Sequence, residues 1–345
     1  VKEHQGQFPV VINAVPEGSI HKPHDVLMTI ENTCDECHWV TNYLETMLVR
    51  VWYPITVATQ SRMLKQGINK FLEKTGDPEG LPFKLHDFGY RGASSEETAS
   101  IGGAAHLVNF MGTDTIAGIR YAREFYEATM PGHSIPAAEH STITSWGKSH
   151  EADAFSNILT QYGSGPYVAV VSDSYDIHNA CKHIWGESLK EAVLDFPGTV
   201  MVRLDSGDPE ETAMRAVSEL GERFGYTENK KGFKVLDPHI RIIQADGVNS
   251  KSVMSILHRF AVGGWSADNI SFGMGSSLIQ DVTRDDLNFA FKCSSIIVNG
   301  EERSVLKSPV GQPMKKSKAG RFYSDLREVF RDGKLLIDDN FDTVR

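Results

Sequence analysis

Apolar and polar positions along the chain follow three rhythms. Residues 8–31 come as short runs, "FPVVINAV", a turn at Pro16–Gly18, then "DVLMTIEN"; runs of this kind bounded by turn residues predict strands. From 35 to 75 the period is helical. Val40, Tyr43, Leu44, Met47, Leu48 and Val51 share an apolar face, and "SRMLKQGINKFLEK" makes a second helix closed by Gly76. Further on, "YVAVVSDSYD", "TVMVRLDSGD", "IRIIQADGV" and "NISFGMGSS" are each a β-branched or apolar run ending in Asp, Ser or Gly. Their polar ends, Asp173, Asp205, Asp246 and Gly273, fall 32, 41 and 27 residues apart. Helix-like stretches such as "YDIHNACKHIWGESLKEAV" and "PEETAMRAVSELGERFG" lie between them.

Strand, polar loop and helix repeated at that spacing predict parallel βα units. Each polar cluster then sits at the C-terminal end of its strand, the face on which barrel enzymes carry their chemistry. The expectation is an α/β protein with a barrel-like catalytic body over residues 37–285. The flanks, 1–31 and 286–345, read as strand-rich and joined into one smaller domain.

Composition narrows the class. The chain has 345 residues, 40% of them hydrophobic, enough for a sizeable core, and its net charge of −10 argues against a general nucleic-acid or membrane-surface binder. No apolar run approaches the roughly 20 residues that span a bilayer. The four cysteines, Cys34, Cys37, Cys181 and Cys293, suit a reducing cytoplasm better than a disulfide scaffold. The opening residues, "VKEHQGQFPVV", hold neither Met nor a signal pattern and read as a chain entered partway.

Three stretches carry candidate chemistry. Residues 84–115, "KLHDFGYRGASSEETASIGGAAHLVNFMGTDT", set His86, Asp87, Phe88, Tyr90, Arg91 and Asp114 close together. A core segment would not bury so many unpaired charges, and a plain surface loop does not need two aromatics. The mixture fits the wall of a pocket for a flat, polar, partly charged small molecule. Cys34-x-x-Cys37 is a zinc half-site without a second C-x-x-C or a paired His downstream. The better-supported reading is a helix start, capped by Asn32 or Thr33, with Asp35 and Glu36 in its first turn. The basic run "KSPVGQPMKKSKAGR", with Lys307, Lys315, Lys316, Lys318 and Arg321, is either a solvated surface or a seat for a phosphate-rich ligand.

The motifs "HDFGYRG", "GTDT", "PAAEHSTITSWGK", "SDSYD", "RLDSGDP", "ADGV" and "VTRD", in this order, resemble the nicotinamide phosphoribosyltransferase family. The likeness runs from about Phe8 to the C-terminus. It implies an irregular (β/α) barrel of the type II phosphoribosyltransferase kind with a smaller strand-rich domain. The activity implied joins nicotinamide to phosphoribosyl pyrophosphate, giving nicotinamide mononucleotide and pyrophosphate in NAD salvage. Mg²⁺ serves as cofactor, held mainly by the diphosphate near Asp205, and ATP serves as co-substrate.

By the resemblance, Phe88 stacks on the pyridine ring, Arg91 reaches its face or the phosphate, and Asp114 accepts from the carboxamide. A helix cap is the structural alternative for Asp114. Arg203 and Asp205, two residues apart on one strand end and therefore on one face, match the pyridine-side arginine and the acid near the ribose. Asp173 and Asp246 match acids around the ribose and the catalytic histidine. His140 matches a histidine phosphorylated by ATP, with Asp173 as the carboxylate that orients it. The loops of Asp246–Gly247 and Gly275–Ser276 offer backbone N–H groups at helix starts to a 5′-phosphate. Arg284, Lys292, Lys307 and Lys315 match the pyrophosphate cluster, partly from a second subunit, which favours the ligand reading of the basic run. The family works as a homodimer with shared active sites, an aromatic of the partner's N-terminal segment closing the pocket over Phe88.

Departures from the pattern are Ala245 for a usual Gly, Ser276–Ser277 for Gly-Gly and Ala290 for a Ser, each weakening or relocating a phosphate contact. The family's chain is also longer at its N-terminus, and "GRFYSDLREVF" is shorter than the matching loop. Two other readings stand beside this one. Nicotinate phosphoribosyltransferase shares the architecture, but Asp114 would repel a nicotinate carboxylate. A non-catalytic binding or signalling protein on the same fold has no need of His140, Arg203, Asp205 and Asp246 together.

Overall fold

The computed structural model describes residues 2–345, which divide into two compact units. One takes residues 2–56, 125–128 and 283–345; the other takes 57–124 and 129–282. The first holds an antiparallel sheet in the order Lys334–Leu335, Arg327–Arg331, Val10–Ala14, Met28–Asn32. Val10, Val40 and Leu44 form its buried core, with Ile12, Ile30, Leu48 and Phe330 packed around them. This packing ties the helix Val40–Leu48 to the flanking unit, so the boundary falls after residue 56 and not at 37. Tyr43 and Met47, counted on the apolar face in the sequence, are exposed.

The helix start at 34–37 also differs from expectation. Cys34 occupies the cap position of a short turn, Asp35–Cys37, without a side-chain cap. The Thr33 hydroxyl donates instead to Asp332, and the Asn32 amide donates to the Cys34 carbonyl.

The second unit is built on six parallel strands in the order Gly112–Thr113, Leu85–Asp87, Ile270–Met274, Ile240–Gln244, Thr199–Leu204, Tyr167–Val171. The two outer strands are bridged by the extended segment 133–137, which pairs with Gly112 through His133 and with Ala169 through Ala137. The sheet thereby closes into an irregular barrel. Amphipathic helices cover it; Pro209–Phe224, for example, buries Ala213, Ala216, Val217 and Leu220 after an Asp208 cap that accepts from Glu211 N–H. Near the N-terminal end of the strands the buried Lys84 ammonium donates to the carbonyls of Ala267, Asp268 and Ile270 at 3.0–3.1 Å, and burial holds its pKa down to about 8. At the other end the strands finish in the polar clusters expected from the sequence. Among the described residues no helix is long and apolar enough to cross a membrane.

Candidate active site

Inside the barrel Ala169, Met201 and Ile243 make a small apolar floor, with Phe88 and Ile135 packed on it. Phe88 lies directly over the strand Ile270–Met274: its N–H donates to Met274 O, and a Cβ on Gly273 would sit 2.1 Å from the ring. Only glycine at 273 leaves room for the aromatic. Met201 and Arg203 project to the same side of their strand because side chains alternate with period two. Arg203 is 6% exposed, and its guanidinium rests 5.4 Å from the Phe88 centroid, within cation–π range.

Arg203 Nη2 donates to Asp205 Oδ2 at 3.0 Å, and Nη1 reaches Glu139 Oε1 at 3.5 Å. The same Asp205 oxygen lies 3.1 Å from His140 Nε2, while His140 Nδ1 lies 3.1 Å from Ser174 Oγ. Asp205 thus stands nearer the imidazole than Asp173, the carboxylate expected to orient it. Asp173 Oδ1 is 3.9 Å from Nε2, and its other oxygen accepts from Asp205 N–H and Ser206 Oγ–H. Asp173 Oδ1 and Arg203 Nε are buried and carry no hydrogen bond among the described residues. Polar atoms held so are costly unless a ligand meets them. Glu139 and Ser174 are the site residues the sequence reading missed. Both adjoin residues it named, Glu139 in "PAAEHST" and Ser174 in "SDSYD", but nothing in the spacing marks their direction.

A cavity of about 210 Å³ opens here, lined by Phe88, Arg91, Gly92, Arg203, Asp205, Ala245, Asp246, Gly275 and Ser276. Arg91 is exposed at its rim, 3.7 Å from Glu139. The two loops expected to hold phosphate behave differently. Asn249 caps the helix Ser250–Val262 and accepts from Lys251 and Ser252 N–H, so those two N–H groups are already engaged, while Ala245 and Asp246 before it line the cavity. Gly275 caps the turn Ser276–Ile279 with no side-chain bond and faces the cavity.

Asp114 is exposed, and its carboxylate accepts from Ser134 Oγ–H. Beside it His86 is buried, with Nε2 free of any hydrogen bond among the described residues; burial pushes its pKa down, against the pull of Asp114. Asp87 is fully buried. Its pKa is pushed up to about 6 by loss of water, opposed by the Gly89 N–H that donates to it at 2.7 Å. Arg284, Lys292, Lys307 and Lys315 belong to the other unit. There Arg284 pairs with Asp285 at 3.2 Å, Lys292 bonds the Phe291 carbonyl, and Lys307 N–H donates to Ser317 Oγ.

An irregular parallel barrel of this kind is the fold of the type II phosphoribosyltransferases. The fold also resembles the crystal structure of nicotinate-nucleotide pyrophosphorylase from Pyrococcus furiosus, with a TM-score of 0.55 at 16% identity over 98% of this chain and 80% of that one. A sequence profile of the nicotinate phosphoribosyltransferase (NAPRTase) family matches residues 83–334, and the chain belongs to that family. It is 53% identical over 319 residues to a nicotinamide phosphoribosyltransferase of Xanthomonas campestris pv. campestris (strain 8004), covering 92% of this chain and 68% of that one. A nicotinamide phosphoribosyltransferase of Acinetobacter baylyi is 30% identical over 384 residues, with 99% and 76% covered.

Proposed function

We propose that the chain joins nicotinamide to 5-phosphoribosyl 1-pyrophosphate, releasing diphosphate and nicotinamide mononucleotide. The observation that carries this is one cavity lined by Phe88, Arg203, Asp205, Asp246 and Ser276, with His140 bonded to Asp205 at its edge. Displacement at ribose C1 passes through an oxocarbenium-like state, so it needs a positioned ring nitrogen, anionic groups near C1 and a clamp on the leaving group. Phe88 and Arg203 offer the pyridine a ring face and a cation. Asp205 and Asp173 place negative charge where the sugar becomes positive, and the uncapped Gly275–Ser276 turn faces the phosphate. The two relatives named as nicotinamide enzymes support the amide over the acid, as does the carboxylate of Asp114.

Mg²⁺ fits this donor set. A hard cation takes carboxylate and phosphate oxygens, and the buried Asp173 Oδ1 without a hydrogen bond is such a group. With diphosphate bound, the ion would neutralise charge on the leaving group, near Asp205. ATP is the proposed co-substrate, phosphorylating His140. A homodimer with shared sites is supported by Trp39, Tyr43, Met47 and Val51, an exposed apolar stripe at four-residue steps. In such a dimer Arg284, Lys292, Lys307 and Lys315 serve the diphosphate. A cytoplasmic setting is supported by four cysteines that are all free thiols.

The test is a labelled-product assay on a full-length preparation with Mg²⁺, nicotinamide and nicotinate in parallel. Nicotinamide mononucleotide is the expected product; consumption of nicotinate alone would overturn the reading. Asp114→Asn should move the kcat/KM ratio toward nicotinate by roughly tenfold, because an amide both donates and accepts and carries no charge. An unchanged ratio would remove Asp114 from substrate selection.

A further inference from the structure

The C-x-x-C pair, which lacks a partner in the downstream sequence, has one upstream. Among the described residues, His4, Cys34 and Cys37 bring one ligand atom each to within 4.8 Å of one another. The hairpin register produces this meeting. Val10 pairs with Asn32, and Thr33 N–H donates to Pro9 O at 2.9 Å, so the chain before residue 9 runs alongside the chain after residue 33. His4 sits in a turn whose carbonyl accepts from Gln7 N–H at 2.8 Å. Cys34 is extended (φ −129°, ψ 124°), and the tight turn that follows closes through Cys37 N–H to Cys34 O at 3.1 Å, which puts both thiols on one side. Both cysteines are half-buried, beside a cavity of about 250 Å³ walled by Phe8, Trp39 and Tyr43.

Two thiols and an imidazole are a borderline-soft donor set that selects a tetrahedral Zn²⁺. At a Zn–S distance of about 2.3 Å, two sulfurs on one ion stand about 3.8 Å apart, which side-chain rotation can reach from the present spacing. Glu36, whose carboxylate accepts from Cys34 Sγ–H at 3.2 Å, adjoins the fourth position. A disulfide would use the two sulfurs and leave His4 without a part.

We propose that His4, Cys34 and Cys37 bind one Zn²⁺, with Glu36 or water completing the tetrahedron, and that the ion staples the N-terminal segment to the start of the helix Val40–Leu48. Both thiols release their protons on binding, and the imidazole binds neutral. None of the three residues lines the transferase pocket.

The test strips the whole protein with chelator under reductant, reloads it with Zn²⁺ or Co²⁺ alone, desalts it and measures metal per chain. One ion per chain is expected. The cobalt form should show thiolate-to-metal charge-transfer absorption and the d–d bands of a tetrahedral ion. Cys34→Ser and Cys37→Ser should each weaken binding by at least about 100-fold. His4→Ala, which leaves the hairpin core untouched, should weaken it measurably and change the cobalt spectrum, and so keeps the test decisive if a cysteine variant misfolds. Retention no greater than in the Cys34→Ser/Cys37→Ser double variant would overturn the proposal. So would a Cys34–Cys37 disulfide in freshly isolated protein, with His4→Ala behaving as wild type.

Discussion

His140 shares one oxygen of Asp205 with Arg203, so a single carboxylate orients the imidazole and neutralises the guanidinium. Incubation with labelled ATP should give His140 an acid-labile, alkali-stable label that His140→Ala lacks; label persisting in that variant would name another acceptor. Asp205→Asn should slow labelling on the order of 100-fold, since an amide orients the ring without stabilising its charge. Asp87 makes a separate case. Its folded pKa of about 6 lies above its ordinary value of 3.8, so between those values the native state keeps a proton that the unfolded chain has released. Stability from this group is therefore fullest below about pH 4 and falls by roughly 3 kcal/mol as pH rises past about 6. Glu151, raised to about 7 first by burial and then by Asp176, acts with the same sign. Urea unfolding across this range should show Asp87→Asn gaining on wild type as pH rises; parallel curves would mean that Asp87 ionises without penalty. Residues of this kind were unevenly legible. Phe88, Arg203, Asp205 and Asp246 stood out because strand ends gather them, whereas the pairing of His140 with Asp205 over Asp173 depends on side-chain directions that no spacing encodes.

At the level of elements, βα units were readable because β-branched runs ending in Asp or Gly recur at regular intervals. The segment 133–137 was not readable. It holds Ile135, Pro136 and Ala137, too few apolar positions to show alternation, and it is extended because strands on both sides pair with it. Gly275 and Asn249 both stand before a helix as small residues, yet Asn249 caps its helix with its side chain while Gly275 makes no side-chain cap and lines the cavity. Helix packing supplies a sharper test. The helices Glu96–Leu107 and Ile116–Tyr126 touch backbone to backbone, and a Cβ on Gly118 would fall 2.7 Å from the Gly103 carbonyl carbon. Gly118→Ala gains intrinsic helix propensity of about 1 kcal/mol but must push a backbone away, at a cost of about 1–3 kcal/mol. Net destabilisation is expected in urea titration, and a stabilised variant would show that the helices can separate freely.

For the whole molecule, the prediction that matters most is sharing of sites between subunits. A Phe88→Ala subunit mixed with a Lys292→Ala subunit should recover about a quarter of wild-type activity at statistical pairing, because each heterodimer then holds one intact site. Activity no higher than either parent, with heterodimers shown to form, would mean that each chain serves itself. The closed barrel has a consequence of its own. The strand Thr199–Leu204 is zipped to neighbours along five residue pairs on each side, but residues 133–138 are fastened by two backbone hydrogen bonds to residues 111–113 and two to Ala169. Four such bonds are worth on the order of 4 kcal/mol, less than global unfolding requires. The ring therefore has a clasp, and local opening there should release the Thr113, His133, Ala138 and Ala169 amides to solvent long before the rest of the barrel yields. Glu139 and His140 follow the clasp directly and bond Arg203 and Asp205 of the pocket, so a ligand that orders that pair should slow exchange at the clasp as well.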